Sequence, residues 1–259
     1  MHDPERLFAP ASALNDVRRK LVESLDAGRD ALRRSRADAA ASALAQSPSG
    51  PAAEAPSVAK TLKMRPGQLV PPGEWDEVVV SVDAGFDESD LPDVDRQKIR
   101  LALPVYTPET EFNALRTTVR RLVRGGFAKW EASDLATLRL LSALGVSDMT
   151  ADWTLYAFNS QALYVLSEAG VRRFVASPEN SPENVRRLSE SGYAVEFLAR
   201  QSTPLFMSLA KPAVEGDRVG KSLAVFRRGG LWITTRTAPR TFDAPRGVPL
   251  RTDISWDPS

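Results

Sequence analysis

From Glu77 onward the sequence alternates short aliphatic runs with segments of helical periodicity, and this alternation constrains the fold more than any other feature. The helical segments end at glycines, as at Gly125 and Gly126, and a new aliphatic run follows. Strands that alternate with helices in this way form parallel sheets with right-handed crossover connections. The predicted strands are 77–83, 98–105, 127–132, 153–158, 173–177 and 194–199, and the predicted helices are 111–126, 133–145, 160–170 and 182–192.

This number of units is about half to three-quarters of what an eight-unit barrel needs. We therefore predict an α/β fold in which residues 71–210 form a partial (β/α) TIM-barrel-like parallel sheet. Such barrels bind ligands at the carboxyl ends of their strands, so candidate site residues are sought there.

The residues before this region lack the alternation. Ser12 is a favourable N-cap for a helix with apolar residues at helical spacing, so residues 1–36 are predicted to be an amphipathic helix. The stretch from Ala37 to Ala59 is rich in Ala, Ser, Pro and Gly. Segments of that composition bury too little surface to offset their ordering entropy, so residues 37–70 are predicted to be a flexible linker.

The helical pattern also stops after Lys211. Two β-rich runs flank Gly229 and Gly230, which predicts a hairpin that turns at these glycines. From Asp243 the chain is rich in proline and is predicted to be irregular. Residues 211–259 are thus interpreted as a small C-terminal β appendage with an irregular tail.

The composition excludes several kinds of chemistry. The chain has no cysteine, and its one histidine is His2. Disulfides, thiolate nucleophiles, cysteine-ligated clusters and Ser–His triads are therefore excluded, which leaves carboxylate, lysine, tyrosine and hydroxyl chemistry. No carboxylates are visibly spaced for a metal ion, so we predict no metal and no cofactor.

The net charge is only +1, so the chain as a whole has no basic field that would predict nucleic-acid binding. No stretch is apolar enough to form a signal sequence or a membrane span, and we expect a cytoplasmic protein without a membrane partner. Local basic runs leave RNA binding open through Arg18, Arg19, Arg120 and Arg121, although solvated helix faces explain such runs more often.

Polar residues follow two predicted strands. Asn159 and Ser160 come after strand 153–158, and Ser177 and Glu179 come after strand 173–177. Helix capping explains the serines and the asparagine, but at the carboxyl rim of a barrel the same positions would contact substrate. Asp152 precedes the first of these strands and is expected on the opposite, stabilising face.

Two glutamates are the candidate catalytic acids or bases. Glu179 would lie at the rim, and Glu196 lies within the apolar run 194–199. A buried carboxylate needs a partner, so Glu196 is expected to pair with Arg173, Arg200 or a backbone amide.

These segments, taken in order, resemble the later part of the U32 collagenase-like peptidase family, in the long members that carry an inserted helical domain. The resemblance is carried by LFAPASALNDVRRKLVESL, LYAFNSQALYVLSEAGVRRFVASPENSPENVRRL, VEFLARQSTPLFMSLAKPAV and DRVGKSLAVFRRGGLWITTRTAP. The matching positions are Leu14, Asn15, Arg18, Arg19, Asn159, Ser160, Gly170, Ser177, Glu179, Glu196, Met207, Asp217 and Arg218.

The resemblance implies a substrate-contacting role for Met207, along with the rim residues. Members of the family are classed as peptidases, and others hydroxylate RNA bases or a quinone ring with an iron–sulfur cluster. In this sequence Lys211 stands where the first cluster cysteine would begin, and Trp232 is near the place of another. The chain therefore departs from the cluster-dependent members, because nothing replaces the thiolate ligands.

Three functions remain open. The first is an accessory, substrate-contacting half of a peptidase-like or RNA-base-modifying assembly, which works with a cysteine-bearing U32-type partner half. The second is an autonomous, cluster-free hydrolase that uses Glu179 and Glu196 on a peptide. The third is a non-enzymatic RNA-binding module.

Overall fold

The computed structural model describes residues 10–45, 59–213 and 222–258. The chain divides into two compact units, residues 1–48 and residues 49–259. In its described part the first unit is one helix, α1 (Ala11–Ala45), on which residues 11–42 are exposed. Helix α1 continues past residue 36 into the predicted linker, because the stretch that follows is rich in alanine, the residue with the highest helix propensity.

The second unit is built on a closed parallel barrel. Eight strands pair in a ring, with the last barrel strand pairing back to the first. In chain order the strands of the unit are β1 Lys60–Met64, β2 Glu77–Ser81, β3 Ile99–Ala102, β4 Lys129–Ala132, β5 Asp148–Ala151, β6 Val171–Val175, β7 Ala194–Gln201, β8 Phe206–Ser208, β9 Leu223–Arg228, β10 Leu231–Arg236, β11 Arg240–Thr241 and β12 Leu250–Asp253. The ring runs β1-β2-β3-β4-β5-β6-β7-β12.

The predicted α/β class is confirmed, as are the N-terminal helix and the small C-terminal β-sheet. The barrel is complete, whereas the sequence predicted only a part of it. Strand β1 lies in the predicted linker, and β12 lies in the predicted irregular tail. Both strands carry charged residues on the side that faces the barrel interior, so neither has the aliphatic run from which strands were predicted.

The prediction of a strand at residues 153–158 is wrong. The barrel strand in this part of the chain is β5, which ends before that range, and residues Trp153–Leu155 form a 3₁₀ turn. Strand β5 reads Asp-Met-Thr-Ala, and its polar residues hid it from a search for aliphatic runs. This correction moves Asp152 from the start of a strand to the carboxyl end of one.

Four helices cover the outside of the barrel between β3 and β7. They are α2 (Glu109–Arg124), α3 (Leu135–Ala143), α4 (Ser160–Glu168) and α5 (Pro182–Glu190). Their buried apolar residues belong to the same core as the outward-facing strand residues. Between β1 and β3 the connections contain 3₁₀ turns and no α-helix, although residues 65–98 are described throughout.

The C-terminal part forms a three-stranded antiparallel sheet in the order β8-β10-β9. The predicted hairpin is confirmed, with Gly229 and Gly230 at positive φ values of 52° and 79° between β9 and β10. Such angles suit glycine, which has no Cβ to clash. Strand β11 then pairs antiparallel with β7 before the chain returns to the barrel as β12.

Candidate functional site

Charged side chains fill the interior of the barrel. Residues in a strand point alternately to its two sides, and apolar ones such as Leu62 and Leu101 belong to the core beneath the helices. Aliphatic layers usually fill a barrel of this kind. Here the buried interior residues that contact one another are Lys63, Glu77, Arg100, Glu131, Asp152, Arg173, Glu196 and Arg251.

One cluster surrounds Glu77 on β2. The Nε of Arg100 on β3 donates to Glu77 Oε1 at 2.7 Å, and Arg173 on β6 pairs with the same oxygen. Arg100 also reaches Asp148 on β5, with Nη2 2.8 Å from Oδ1. Burial would raise the pKa of Glu77, but the two guanidiniums overcome it and hold that pKa below its ordinary value.

A second cluster surrounds Arg251 on β12. Its Nη1 lies 2.6 Å from Glu131 Oε2 on β4, and its Nε lies 2.9 Å from Glu196 Oε2 on β7. Strands β12 and β4 are not neighbours in the ring, so this contact crosses the interior. Arg173 joins the two clusters, because its Nε lies 2.6 Å from Glu196 Oε1.

Lys63 forms the floor of the carboxyl mouth. Its Nζ donates to Glu131 Oε1 at 2.8 Å and to Asp152 Oδ2 at 2.7 Å. Burial opposes the ammonium form, yet the two carboxylates raise the pKa of Lys63 above its ordinary value. Burial would raise the pKa of Glu131, but Arg251 and Lys63 outweigh it and lower that pKa to about 2. Lys63 is therefore a fixed ammonium group.

Asp152 differs from Glu131 in the direction of its pKa shift. Burial raises the pKa of Asp152 more than the Lys63 ammonium lowers it. The Oγ of Ser133 donates to the carbonyl of Leu103 at 2.8 Å and lies 3.2 Å from Asp152 Oδ2. A hydroxyl and a carboxyl group with a raised pKa thus lie side by side at the mouth.

A cavity of about 340 Å³ opens at this mouth. Its floor and walls come from the carboxyl ends of β1 to β4 and β12, and the β9–β10 hairpin covers one side. A pocket of this size is in the range that holds small molecules. The polar and charged lining residues are Lys63, Arg65, Ser81, Asp83, Tyr106, Ser133, Arg228, Ser255 and Trp256, and the rest are apolar, proline or glycine.

Two arginines in this cavity have no carboxylate partner within 4.0 Å in the described residues. Arg65 Nη2 donates to the carbonyl of Asp257 at 3.3 Å. Arg228 donates to the carbonyls of Ser255 and Asp257. Both guanidiniums thus have only neutral backbone oxygens as acceptors.

The structure places the predicted rim residues outside this cavity. Asn159 caps α4 by accepting a hydrogen bond from the backbone N–H of Ala162 at 2.9 Å, and Ser160 is the first residue of that helix. Met207 lies on β8 opposite Ile233. None of the three lines the mouth cavity. Asn159 acts as a helix cap, which is one of the two roles that the sequence left open for it.

Ser177 is buried and lines a second cavity of about 260 Å³ with Phe197 and Phe242. Its Oγ accepts a hydrogen bond from the backbone N–H of Glu179 at 3.3 Å. The Glu179 side chain is exposed and lines neither cavity.

Glu196 is buried in the barrel and is bound on both oxygens by arginines, one of which is the predicted Arg173. Asp152 was expected on the stabilising face, and that expectation is wrong. It follows β5 directly and pairs with Lys63 at the carboxyl mouth.

The arginines proposed for RNA lie on two units. Arg18 and Arg19 are exposed on α1, and Arg19 pairs with Asp16 at 3.2 Å. Arg120 is exposed on α2, while Arg121 donates to the carbonyl of Phe86 at 2.8 Å.

The positions at which the resemblance would place cysteines come together. The Nζ of Lys211 lies 5.4 Å from the centre of the Trp232 ring, which is a cation–π distance. Asp217 and Arg218, which also carry the resemblance, lie outside the described residues.

Sequence reasoning missed Lys63, Arg65, Ser133 and Arg228. The available signal was the alternation of charged and apolar residues in short strands such as Lys-Thr-Leu-Lys-Met. A strand with one buried apolar face and one charged face normally indicates a surface strand, but here the charged face lines the barrel.

The fold and the site together define a parallel (β/α) barrel protein with a cavity of ligand size at its carboxyl mouth. No model of a known protein family, no curated protein and no solved structure matches the chain. Among the described helices none is long and apolar enough to cross a membrane. Residues 10–45, 59–213 and 222–258 contain no group of three or more His, Cys, Asp or Glu side chains placed to hold a metal ion.

Proposed function

We propose that this chain is a substrate-binding barrel protein that takes its substrate into the mouth cavity. In the setting that the U32 resemblance implies, it is the cluster-free, substrate-contacting component of a peptidase-like or RNA-base-modifying system. The observation that carries the proposal is the cavity of about 340 Å³ at the carboxyl ends of the barrel strands. Barrel proteins bind their ligands at this end of the sheet.

The pairing of the interior side chains favours binding over catalysis. Lys63 is an ammonium held between two carboxylates, so it has no lone pair with which to attack a substrate. Glu196 is buried between two arginines and lines neither cavity, so it does not meet a substrate held at the mouth. These groups fix the shape and charge of the cavity floor.

The closed ring also changes the expected role of a partner. A cysteine-bearing chain is not needed to complete this barrel, because all eight strands come from one chain. Such a partner would instead meet a finished barrel and would bring its cluster to a substrate already held at the mouth.

A ligand-observed NMR screen with short peptides, nucleosides and nucleotides tests the proposal. Leu231 lines the cavity, so the Leu231→Trp variant fills it. Leu223 lies on the same hairpin and does not line the cavity, so Leu223→Trp is the matched control. We expect at least one compound to bind the wild type and the control but not Leu231→Trp. Binding of no compound, or equal binding to both variants, would contradict the proposal.

A second candidate function is hydrolysis with Asp152 as the general base. It is favoured by the raised pKa of Asp152 and by the 3.2 Å distance from Asp152 Oδ2 to Ser133 Oγ, since Ser133 lines the cavity. In this case Asp152→Asn lowers the turnover of a peptide or ester substrate by about a hundredfold or more, as loss of a general base does. Glu179→Gln leaves it unchanged. Absence of turnover by the wild type would remove this candidate.

A further inference from the structure

We propose that the mouth cavity binds the oxyanion of a small organic molecule, a carboxylate or a phosphate monoester, between Arg65 and Arg228. The apolar part of that molecule packs against the apolar wall. This inference rests on the proposed function, because it names the class of substrate for the same cavity.

Arg65 and Arg228 differ from the buried cations of the barrel interior. Arg100, Arg173, Arg251 and Lys63 each have at least one carboxylate oxygen within 2.8 Å. Among the described residues Arg65 and Arg228 have none within 4.0 Å. A half-buried guanidinium without an anion is costly, and a bound oxyanion supplies the missing partner.

Two acidic side chains attract these arginines, and both are bound to other groups. Asp253 accepts from the amide of Gln201 at 2.7 Å and from the hydroxyl of Ser255 at 2.6 Å. Asp257 offers its backbone carbonyl to both arginines, but its carboxylate accepts from Arg200 at 2.9 Å and from the hydroxyl of Ser202 at 2.7 Å. Among the described residues Asp83 is the only acidic one that lines the cavity, and its Oδ1 accepts from the backbone N–H of Gly85 at 2.9 Å. Neither arginine therefore has a carboxylate of its own in the described residues.

Both arginines have lowered pKa values. Burial lowers the pKa of Arg65, with Asp257 opposing it. Burial, followed by repulsion from Arg65, lowers the pKa of Arg228 to about 10, and Asp253 and Asp257 oppose that shift. An anion between the two would remove this repulsion, as planar guanidinium groups bind carboxylates and phosphates in pairs of hydrogen bonds.

Two residues that line the cavity have unpaired hydrogen-bond donors. The Nε of Arg65 and the indole Nε1 of Trp256 are buried and have no hydrogen-bond partner in the described structure. Trp256 is 8% exposed, and both it and Arg65 line the cavity. Buried N–H groups are nearly always paired in folded proteins, so these two donors lack a partner of the kind that an oxyanion supplies.

The apolar residues of the cavity determine the rest of the ligand. They are Val82, Leu103, Val105, Leu231 and Ile233, and the ring of Tyr106 also lines the cavity. A bare inorganic ion would leave this surface in contact with water. A molecule that joins an oxyanion to an apolar body covers it and gains the hydrophobic contribution.

Calorimetric titration of the full chain with phenyl phosphate, benzoate and benzyl alcohol tests the inference. The first two probes distinguish phosphate from carboxylate, and the third has the apolar body without a charge. We expect one or both anions to bind about tenfold or more tightly than the alcohol, which corresponds to a charged hydrogen bond. Equal binding of all three probes, or binding of none, would overturn the inference.

Substitutions of the two arginines test whether the anion binds between them. Arg228→Gln and Arg65→Gln are each expected to weaken binding of the preferred anion by about tenfold or more. Arg227→Gln, an exposed neighbour on β9 that does not line the cavity, should bind as the wild type does. If the anions bind and neither cavity variant differs from Arg227→Gln, the inference is overturned.

If compounds bind the cavity in the NMR screen without preference for charge, the proposed function stands while the oxyanion inference fails. The comparison of probes on the wild type holds even if a variant does not fold.

Discussion

Lys63 Nζ and Asp152 Oδ2 lie 2.7 Å apart, although the two residues are 89 positions apart in the chain. Lys63 is on β1 and Asp152 follows β5, and these strands stand opposite each other in the ring. Their ion pair therefore spans the barrel at its carboxyl mouth. The two residues can meet only when the ring of strands is closed. The floor of the cavity, which Lys63 forms, therefore depends on the complete barrel.

Lys63→Met tests what this bridge contributes. The substitution leaves two buried carboxylates without their shared ammonium, and breaking a buried pair in this way costs about 3–5 kcal/mol of unfolding free energy. Lys60→Met, an exposed change on the same strand, should stay within about 0.5 kcal/mol of the wild type. Urea unfolding of both variants measures the difference, and equal stabilities would contradict the arrangement of the interior.

The two glutamates singled out from the sequence should behave differently. Glu196→Gln replaces a carboxylate between Arg173 and Arg251 with a neutral amide, and we expect a loss of about 2–5 kcal/mol in unfolding free energy. Glu179→Gln changes an exposed side chain and should alter it by about 0.5 kcal/mol or less. Similar losses in both variants would count against the buried position of Glu196.

Stability should fall in acid. The pKa values of Glu131 and Glu77 are lowered in the fold, so the unfolded chain binds more protons as the pH drops. Their stabilisation is present above pH 4.5, the ordinary pKa, and for Glu131 it is lost as the pH falls to about 2. Asp152 acts in the opposite direction, because its raised pKa favours the fold at low pH.

The unfolding free energy measured between pH 6 and pH 2 checks this balance. We expect it to decrease steadily below pH 4.5 in the wild type and less steeply in Glu131→Gln, which has lost one of the titrating groups. An unfolding free energy that rises as the pH falls would show that Asp152 dominates and that the account of Glu131 is incorrect.

A tight glycine in the barrel offers a further test. Gly170 has a φ of +96°, and a Cβ built there would lie 2.8 Å from Met149 Cε. The Met149 side chain is only 1% exposed and has little room to give way, so Gly170→Ala should destabilise the barrel more than Gly67→Ala, where φ is +76° but nothing lies within 4 Å. Thermal unfolding compares the two, and a smaller effect at Gly170 would contradict the packing of β5 against the turn before β6.

The strands that could be predicted from the sequence are those with aliphatic runs, such as Glu77–Ser81 and Ala194–Gln201. Their alternation with helices gave the parallel sheet. The strands that could not be predicted, such as Leu250–Asp253, have charged residues on the inner face, and the local pattern does not show that these residues are buried.

The candidate site was hidden for a related reason. Lys63, Asp152 and Arg228 come from distant parts of the chain and meet only when the ring closes and the hairpin folds over the mouth. Glu196 could be recognised as a carboxylate that needs a partner, and Arg173 was among the partners expected. Arg251 was not, since its strand was not predicted.

The central claim is that the mouth cavity is the binding site, and the indole N–H signal of Trp256 reports on it most directly. Trp256 lines the cavity and its Nε1 has no partner in the described structure, whereas the Nε1 of Trp130 donates to the carbonyl of Phe127 at 2.8 Å in the core. The two signals are assigned with Trp256→Phe and Trp130→Phe in ¹H–¹⁵N spectra, and the wild type is titrated with phenyl phosphate. We predict a saturable shift of the Trp256 signal while the Trp130 signal stays in place. A bound ligand that leaves the Trp256 signal unmoved would contradict the claim.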